Sequence, residues 1–515
     1  MTRKKIITKS MDAGYEDGII IFPQNNTLYV DQFTDKAPYT DEDRGPFRPR
    51  NMKDVFDHYQ PCVEDIELKT ENGESVIECF FFRSIEDFDD KQLIQQSELL
   101  SELKAKMDVH GELIQKFQFL HEDAFLRDIK QYQKELSQWV RIFECEGKNE
   151  DEILDNLKSK RNKAKECLCN NLLTIRNKIQ RLEKAYRTLD SFFANTGQDR
   201  VDFLTLMNAN RCKLDLPDSI DTIAVREELE IHYNRLSLSR CYSLLVIPGF
   251  IGDDSTIRMW AKTAYVNKVI LVTDFRDYPT YEILKERLED ANLQGQDFYL
   301  ANIIMTCNYL LGRKKSEQAG EEDLYIPGSA ALAGRMTDTE TIPISQGVAG
   351  IKYGTLNNVK STRLDLSKTE VANLIDMGVI PMVEMDGQVV AFSDRSLYNG
   401  RFQPLQTYPF VRTFDWICKV LQNYFNVGAF MFWDYRVKQD AAQFVNDFLT
   451  DFKGTDKAVK GYTLKKIERD PLTKDIRIEV WLKHQVSDKY YSLMLEGHNT
   501  DHDIEWQHHL KTIQE

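Results

Sequence analysis

Asp274 is the residue of this 515-residue chain best placed to do chemistry. It ends the apolar run Lys268–Asp274, which is typical of a buried strand, and ligands of open α/β sheets bind beyond the carboxyl ends of the strands. Catalysis there would need a supporting lysine, metal cluster or second acid, and the sequence has none at a suitable spacing. An aspartate at a strand end commonly caps nearby backbone, so we expect a structural role for Asp274.

Two other patterns approach catalytic motifs without completing them. Gly347-Val-Ala-Gly350, followed by Gly354, lacks the lysine of a phosphate loop and the glycine spacing of a dinucleotide site. Ser329 follows a glycine, but a nucleophile elbow would place a second glycine where Ala331 stands. We predict that neither pattern binds a nucleotide or attacks a substrate.

Histidines near the end of the sequence are candidate metal ligands. His498, His502, His508 and His509 have aspartates beside them, and the first two would share one face of a helix because they are four residues apart. They lie beyond the last apolar strand, however, and we favour a solvated terminus. The sequence therefore predicts no catalytic residue, cofactor site or metal site, and the protein is not expected to be an enzyme.

Composition argues against several classes of function. The chain has 67 basic and 82 acidic residues, a net charge of −15, and no long basic tract, so neither nucleic acid nor an anionic membrane is an expected partner. The nine cysteines are scattered without a C-x-x-C pair, as is typical of reduced thiols in a cytoplasmic protein. No signal peptide and no run of about 18 apolar residues is recognisable, so we expect a cytoplasmic protein without membrane insertion.

The first 90 residues contain short elements. Apolar pieces at 18–22 and 28–30 are separated by Asn, Asp, Pro and Gly, which is typical of an extended, weakly self-sufficient segment. The runs 63–69 and 75–83 flank Asn72-Gly73, which supplies the positive φ of a tight turn. This pattern predicts a β-hairpin.

A helical pattern dominates residues 91–193. Apolar residues recur at steps of four and three from Phe125 to Phe143 and again from Ile153 to Phe193, with a break at Gly147. An antiparallel helical pair is the simplest interpretation. Two ordinary amphipathic helices lying on a core would give the same pattern as a protruding coiled coil.

After residue 200 short apolar strands alternate with helices. We predict strands at 201–207, 243–248, 268–273, 380–385, 388–392, 476–483 and 490–495, and helices at 280–291, 300–311, 367–377, 408–425 and 439–452. The fold class is α/β (α+β), a central helix-covered sheet with a long helical pair and terminal strands. The expected divisions are residues 1–90, the extended segment and hairpin; 91–195, the helical pair; 196–400, the α/β core; and 401–515, the last helices and strands.

Stretches in the first part of the chain resemble the small subunit, TssB, of the contractile sheath of type VI secretion systems. Gly45–Pro61 is similar to the segment that leads into that subunit's hairpin. Phe80–Phe88, with Leu99, Leu100 and Leu103 after it, resembles its F-x-S-x-x-D-F motif and leucine-rich helix.

Later stretches resemble the large subunit, TssC, and they follow in chain order. Arg181–Leu189 is similar to its L-E-x-x-W-R-G-L motif, with Tyr186 and Thr188 in place of Trp and Gly. Asp365–Pro381 and Ala391–Ser396 resemble its helix–Gly–strand element. The stretch 326–334 is also similar to phage tail sheaths. Both a modified large subunit and a fusion-like sheath protein fit this pattern.

The resemblance implies a subunit of a helical sheath around an inner tube of Hcp, in which a baseplate signal triggers contraction. Implied partners are further copies of the chain, the small subunit TssB, the Hcp tube, the baseplate and a disassembly ATPase such as ClpV. Neighbouring subunits would share strands in one sheet, because exposed backbone edges find partners in another chain. The expected exchange residues are Ile19, Ile21, Leu28, Val30, Ile66, Leu68, Ile77, Phe80, Phe82, Ile476, Ile478, Val480, Leu482, Tyr491, Leu493 and Leu495.

A different class of function also fits the pattern of strands and helices. An α/β enzyme that binds a nucleotide or a sugar beside Asp274, with a coiled-coil attachment, would use the carboxyl edge of the sheet. It would form a small oligomer that binds a ligand, whereas a sheath subunit would form tubes.

Overall fold

The structure is a computed structural model. It describes residues 23–34, 45–121, 150–235, 237–315, 322–427, 433–485, 487–499 and 504–513. Within these ranges the protein has the predicted mixed α/β architecture, built on one large sheet and one smaller C-terminal sheet.

The large sheet has seven strands in the order β11-β10-β7-β6-β5-β1-β4. Its strands are β1 (Thr27–Asp31), β4 (Leu204–Asn208), β5 (Leu244–Val246), β6 (Ile270–Asp274), β7 (Ile303–Cys307), β10 (Ile380–Met385) and β11 (Gln388–Ala391). The six strands from β4 to β10 in this order run parallel, and β11 is antiparallel to β10. Continuous runs of Leu, Ile and Val form these strands because helices cover both faces of the sheet.

β1 shows how the extended segment predicted at residues 28–30 is held in the fold. Leu28 and Val30 are fully buried, and β1 lies between β4 and β5 as an inner strand. An extended, weakly self-sufficient segment was expected because the run is short and flanked by polar residues. Its partners are more than 170 residues away, and local patterning carries no information about them. Residues 18–22 lie outside the described part of the chain.

The hairpin prediction is confirmed by β2 (Cys62–Lys69) and β3 (Ser75–Phe81). Helix α1 (Met52–Tyr59) precedes it, and α2 (Asp90–Gln96) and α3 (Glu98–His121) follow. The long helix α4 (Glu150–Asn195) packs against α3 through Leu113, Ile114 and Leu157. The repeat from Phe125 to Phe143 and the break at Gly147 lie outside the described residues.

Helix α4 lies on the core instead of protruding from it over most of its length. Ala164, Leu168, Leu172, Ile175, Ile179, Leu182, Tyr186 and Leu189, which carry its apolar repeat, are all buried in the main core. The interpretation as an amphipathic helix on a core is therefore correct for this part of the chain.

The other helices of the central part are α5 (Ile220–Tyr233), α6 (Asp254–Val266), α7 (Tyr281–Ala291), α8 (Ser329–Thr337), α9 (Gly350–Tyr353) and α10 (Lys368–Asp376). Thr280 caps α7, and Ser367 with Glu370 forms the predicted capping box of α10. A short antiparallel pair, β8 (Leu310–Arg313) and β9 (Leu324–Ile326), contacts α4.

The predicted helix at 300–311 is wrong. A 3₁₀ turn at Phe298–Asn302 leads directly into β7, and β8 follows. Ile303-Ile-Met-Thr-Cys307 is buried on every side, so its apolar residues satisfy a helical period as well as a strand. For a run this short, periodicity does not distinguish a buried strand from a buried helix.

The last part of the chain packs α11 (Tyr408–Val427) and α12 (Tyr435–Asp451) on a four-stranded antiparallel sheet. Its strands are β12 (Val459–Arg469), β13 (Ile476–His484), β14 (Tyr490–Asn499) and β15 (Ile504–Thr512), in that order. The expected solvated histidine-rich terminus is wrong, because β15 pairs with β14 along its whole length. Its alternation of half-buried and exposed residues includes Trp506 and Leu510, which contact the core beneath.

The described residues thus form two large hydrophobic cores, besides the small cluster between α3 and α4. The larger combines the hairpin, α4 and the seven-stranded sheet, and the smaller lies between α11, α12 and the C-terminal sheet. The domain boundaries given above stay a prediction.

Candidate functional site

Asp274 is a buried hydrogen-bond acceptor at the carboxyl edge of the large sheet. It accepts the amide of Gly249 at 2.6 Å and the amide of Ser329 at 2.9 Å. The hydroxyls of Thr306 and Ser329 also donate to it, and its side chain is fully buried. One carboxylate thus joins the ends of β5, β6 and β7 to the start of α8, which is the structural role expected of both Asp274 and Ser329.

Charged side chains surround this edge. The Lys184 ammonium lies 4.7 Å from the centre of the Tyr309 ring. Burial lowers its pKa, and the carboxylates of Asp277, Asp274 and Asp31 only partly oppose this effect. Burial raises the pKa of the Asp31 carboxyl, against the charge of Arg211. Acids and bases alternate here, so the edge has no excess of one charge that would select an anion or a cation.

Gly249 shows how closely this edge is packed. Its φ is +77°, and a Cβ there would lie 1.7 Å from the Arg211 Nη2. Only glycine allows the guanidinium to lie directly on this backbone. The Arg211 side chain therefore covers the end of β5, where an open α/β sheet would receive a ligand.

The glycine pattern at 347–354 does not form a phosphate cradle. The amide of Val348 donates to the Tyr408 hydroxyl at 2.7 Å, and the amide of Gly354 donates to the Gly350 carbonyl at 2.7 Å. A phosphate loop needs such amides directed at its ligand. Here they hold the loop to α11 and close the short helix α9.

The histidines of the last two strands do not converge on a metal. His508 lies with its Nε2 2.7 Å from the Lys268 Nζ, which also lies 3.7 Å from the Asp415 carboxylate. Burial and the Lys268 charge lower the pKa of His508 to about 3, so a neutral imidazole accepts from the lysine. Among the described residues, no group of three His, Cys, Asp or Glu could hold a metal ion. His502 lies outside those residues.

A buried ion cluster centres on Glu183. Its carboxylate accepts from Arg313 at 2.7 Å, Arg187 at 2.8 Å and Arg176 at 3.1 Å. Burial alone would raise the pKa of this carboxyl, but Arg313 and the other two arginines hold it below the usual value. Arg176 and Arg187 lie on the same helix as Glu183, whereas Arg313 is 130 residues away, so the sequence alone does not reveal the complete cluster.

The predicted exchange residues of the hairpin divide between its two faces. Ile66, Leu68, Phe80 and Phe82 are buried in the main core. Ile77 is 66% exposed. Phe81, four residues further along β3 and on the same face of the strand, is 56% exposed. Ile19 and Ile21 lie outside the described residues, and Leu28 and Val30 lie in the inner strand β1.

The predicted exchange residues of the C-terminal sheet cover the smaller core. They are Ile476, Ile478, Val480, Leu482, Tyr491, Leu493 and Leu495, all buried. They belong to β13 and β14, the two inner strands, so the outer positions of this sheet belong to β12 and β15. The sequence analysis missed both outer strands. The alternation in Ile504-Glu-Trp-Gln-His-His-Leu510 could have revealed β15.

The outer strands differ in regularity. β12 carries two register irregularities, between Val459 and Gly461 and between Leu464 and Lys466, and it has several lysines. Bulges and lysines are features that discourage pairing at a sheet edge. β15 pairs with β14 in unbroken register from Ile504 to Thr512 and has a single lysine.

Among the helices that the structure describes, none combines the length and the apolar character that crossing a membrane requires.

Solved structures from contractile systems match the chain at low sequence identity and low TM-score. A chain of the anti-feeding prophage baseplate is 15% identical, with a TM-score of 0.39 over 64% of this chain and 78% of that chain. A sheath tail protein from Desulfitobacterium hafniense is 12% identical, with a TM-score of 0.35 over 54% and 60%. The PVC sheath of an extracellular contractile injection system, in its contracted state, is 13% identical, with a TM-score of 0.38 over 67% and 81%.

Family models of the sequence give a stronger result. No curated protein sequence matches the chain. Residues 174–399 match the central domain of type VI secretion system TssC/VipB, and residues 407–512 match the TssC/VipB-like C-terminal domain. The two matches include every strand of the large sheet except β1, and the whole C-terminal sheet. The chain belongs to the TssC/VipB family of type VI secretion systems and is a structural subunit of a contractile sheath.

Proposed function

We propose that this protein assembles in the cytoplasm as a helical sheath around an Hcp inner tube and contracts to propel that tube. The baseplate and a ClpV-type disassembly ATPase are its further proposed partners. The observation that carries the proposal is the pair of family matches, which run through the large sheet and the C-terminal sheet. A separate small subunit, TssB, is the remaining partner implied by the resemblance.

The C-terminal sheet is the proposed place of strand exchange between subunits. Its buried face covers a core of its own, so the sheet is a stable platform in each subunit. A strand from a neighbouring copy would add at an outer position, where backbone groups point away from the sheet. The unbroken register of β15 makes its edge a better acceptor than the bulged, lysine-rich edge of β12. Repeated head-to-tail contacts of this kind produce filaments.

Contraction in this proposal uses energy stored in the lattice. Subunits held in an extended arrangement would repack their interfaces when the baseplate releases them. Linked strands would keep neighbours connected while the main cores slide past one another. The closely packed carboxyl edge at Asp274 and Gly249 is consistent with a subunit that needs no nucleotide.

Electron microscopy of the expressed protein tests this proposal. The chain is produced with an Hcp-type inner-tube protein and imaged in negative stain. Tubes that contain both proteins are the expected result. Globular particles alone, at concentrations where the inner tube polymerises, would overturn it.

A single substitution tests the edge of β15. The amide of Ile513 donates to the Tyr490 carbonyl at 3.1 Å, so the alternating amide of Thr512 points away from β14. Thr512 is exposed, and proline is accepted on an edge strand where its missing N–H faces outward. Thr512→Pro is expected to lower tube yield several-fold without changing the urea midpoint of unfolding. Thr512→Val keeps the amide and serves as the control. Equal tube yields in both variants would show that this edge does not link subunits.

A further inference from the structure

We propose that this chain is its own small subunit. One polypeptide forms the complete sheath protomer, and its partner in the polymer is a second copy of the same chain, not a separate TssB. This inference rests on the proposed function, because it concerns what the sheath is built from.

The first argument is the place of β1 in the large sheet. β1 pairs with β4 along its whole length on one side and with β5 over Thr27–Tyr29 on the other. Every other strand of this sheet lies inside the matched central domain, which begins at residue 174. Without β1, β4 would be separated from the rest of the sheet. The matched domain is therefore completed by a strand that lies outside it and belongs to the same chain.

The second argument is the outer edge of β4. Phe47 and Leu206 exchange two backbone hydrogen bonds, of 2.9 and 2.7 Å, and the Val201 amide donates to the Arg50 carbonyl at 3.1 Å. The segment that contains Phe47 and Arg50 lies in Gly45–Pro61, the stretch that resembles the small subunit. This segment occupies the edge at which an added strand would otherwise pair.

The third argument is the docking of the hairpin on α4. The Asn171 side chain accepts from the Lys69 amide and donates to the Lys69 carbonyl, both at 2.8 Å. Arg176 on the same helix lies 2.5 Å from the Asp90 carboxylate and donates to the Phe88 carbonyl. Buried polar pairs of this kind fix a single arrangement of the elements that they join.

Apolar packing completes this interface. The Phe56 and Tyr186 rings stack with centres 4.6 Å apart, and Leu68 and Phe80 are fully buried in the same core. A separate protein that carried the same strand, hairpin and helix could bind here only after displacing these elements. The place that a small subunit would take is thus filled in cis.

The main test produces the chain in a host without other sheath genes and supplies only the Hcp-type protein. Tubes whose sheath contains this polypeptide alone, by mass spectrometry, are expected. Tubes that form only after a type VI TssB protein is added would overturn the inference and leave the proposed function intact. If no tubes form with or without TssB, the proposed function fails, and the inference is judged by the next measurement.

Hydrogen exchange on the isolated chain tests whether β1 and the hairpin pack onto the rest of the same polypeptide, and it does not require tubes. The amides of β1 are expected to be protected as strongly as those of the neighbouring β5. Rapid exchange throughout β1 and the hairpin would overturn the inference. Two variants on opposite faces of the hairpin sharpen the measurement. Leu68→Asp is expected to remove hairpin protection, whereas Ile77→Asp, at an exposed position, is expected to preserve it.

Discussion

Asp274 joins more elements than any other single side chain described above. Its carboxylate has four donors, which come from the ends of β5 and β7 and from the start of α8. All of these groups are buried, so none can turn to water if the acceptor is removed. The residue that looked most catalytic in the sequence is therefore one that stabilises the fold.

Asp274→Asn is expected to lower the free energy of unfolding by about 2–4 kcal/mol, because an amide nitrogen would face donors where a carboxylate oxygen accepted. Urea unfolding followed by circular dichroism measures the change. Asp290→Asn, at an exposed position on α7, is the matched control and should leave the midpoint unchanged. Equal midpoints for the two variants would contradict the role assigned to Asp274.

His508 is expected to make the protein less stable in acid. Its pKa falls from 6.5 to about 3 in the folded chain through burial and the charge of Lys268, with a smaller effect of His509. The unfolded chain therefore binds more protons between these values, and stability that is complete above about pH 6.5 is lost as the pH falls toward 3. His484, whose pKa burial lowers to about 4, acts in the same direction.

The urea midpoint is thus expected to fall between pH 7 and 4.5, and less steeply in His508→Gln, whose amide oxygen can still accept from Lys268. His509→Gln, on the exposed face of the same strand, should change the slope less than His508→Gln does, because His509 has the smallest effect on the pKa of His508. Identical slopes in all three proteins would argue against His508 as the cause.

Helices α8 and α4 pack backbone against backbone at Gly334. A Cβ there would lie 2.3 Å from the carbonyl oxygen of Phe192, so the two helix backbones meet with no room for a side chain. This contact places α8, and with it Ser329, against Asp274.

Gly334→Ala is expected to destabilise the chain by about 1–3 kcal/mol, because backbone atoms would have to move apart. Gly111→Ala, in the interior of α3, meets only the flexible Arg161 side chain at 3.4 Å. It should be neutral or stabilising by up to about 1 kcal/mol through the higher helix propensity of alanine. Thermal unfolding of both variants measures the difference, and a Gly334→Ala protein as stable as Gly111→Ala would refute the close contact.

Elements whose signals are local were predictable from sequence. Asn72-Gly73 marked the hairpin turn, and Ser367 with Glu370 marked the start of α10. The strand at 303–307 was not predictable, because a strand that is buried on both faces lacks the alternation of apolar and polar residues that identifies a half-buried strand. At the candidate site, the structural role of Asp274 was predictable because the sequence offers no supporting catalytic residues near it. The identity of its four hydrogen-bond donors was not predictable. They come from residues up to 55 positions away.

The net negative charge of the protein should oppose assembly of its copies into tubes. Each copy carries a net charge of −15, so copies in a tube repel one another at low ionic strength. Raising the salt from about 0.01 M to 0.15 M shortens the screening length from about 30 Å to about 8 Å. The fraction of protein that sediments as tubes is therefore expected to rise over this range. A fall would indicate that contacts between opposite charges dominate the interfaces.

The arrangement of the whole molecule was only partly predictable. The α/β class and the C-terminal strands β13 and β14 followed from patterning, and the family resemblance followed from short motifs in chain order. The pairing of β1 did not, because it joins Thr27 to Leu204 and Leu244. No local preference specifies which distant strand lies beside which.

The inner position of β1 also sets the order of events during synthesis. The ribosome makes β1 first among the described strands, yet its partner β5 ends at Val246, 246 − 31 = 215 residues after Asp31. At about 5–20 residues per second, roughly 10–40 s pass before that partner exists. The other partner, β4, ends at Asn208, 208 − 31 = 177 residues after Asp31, so until then β1 has neither sheet partner and its apolar side chains lack their native cover.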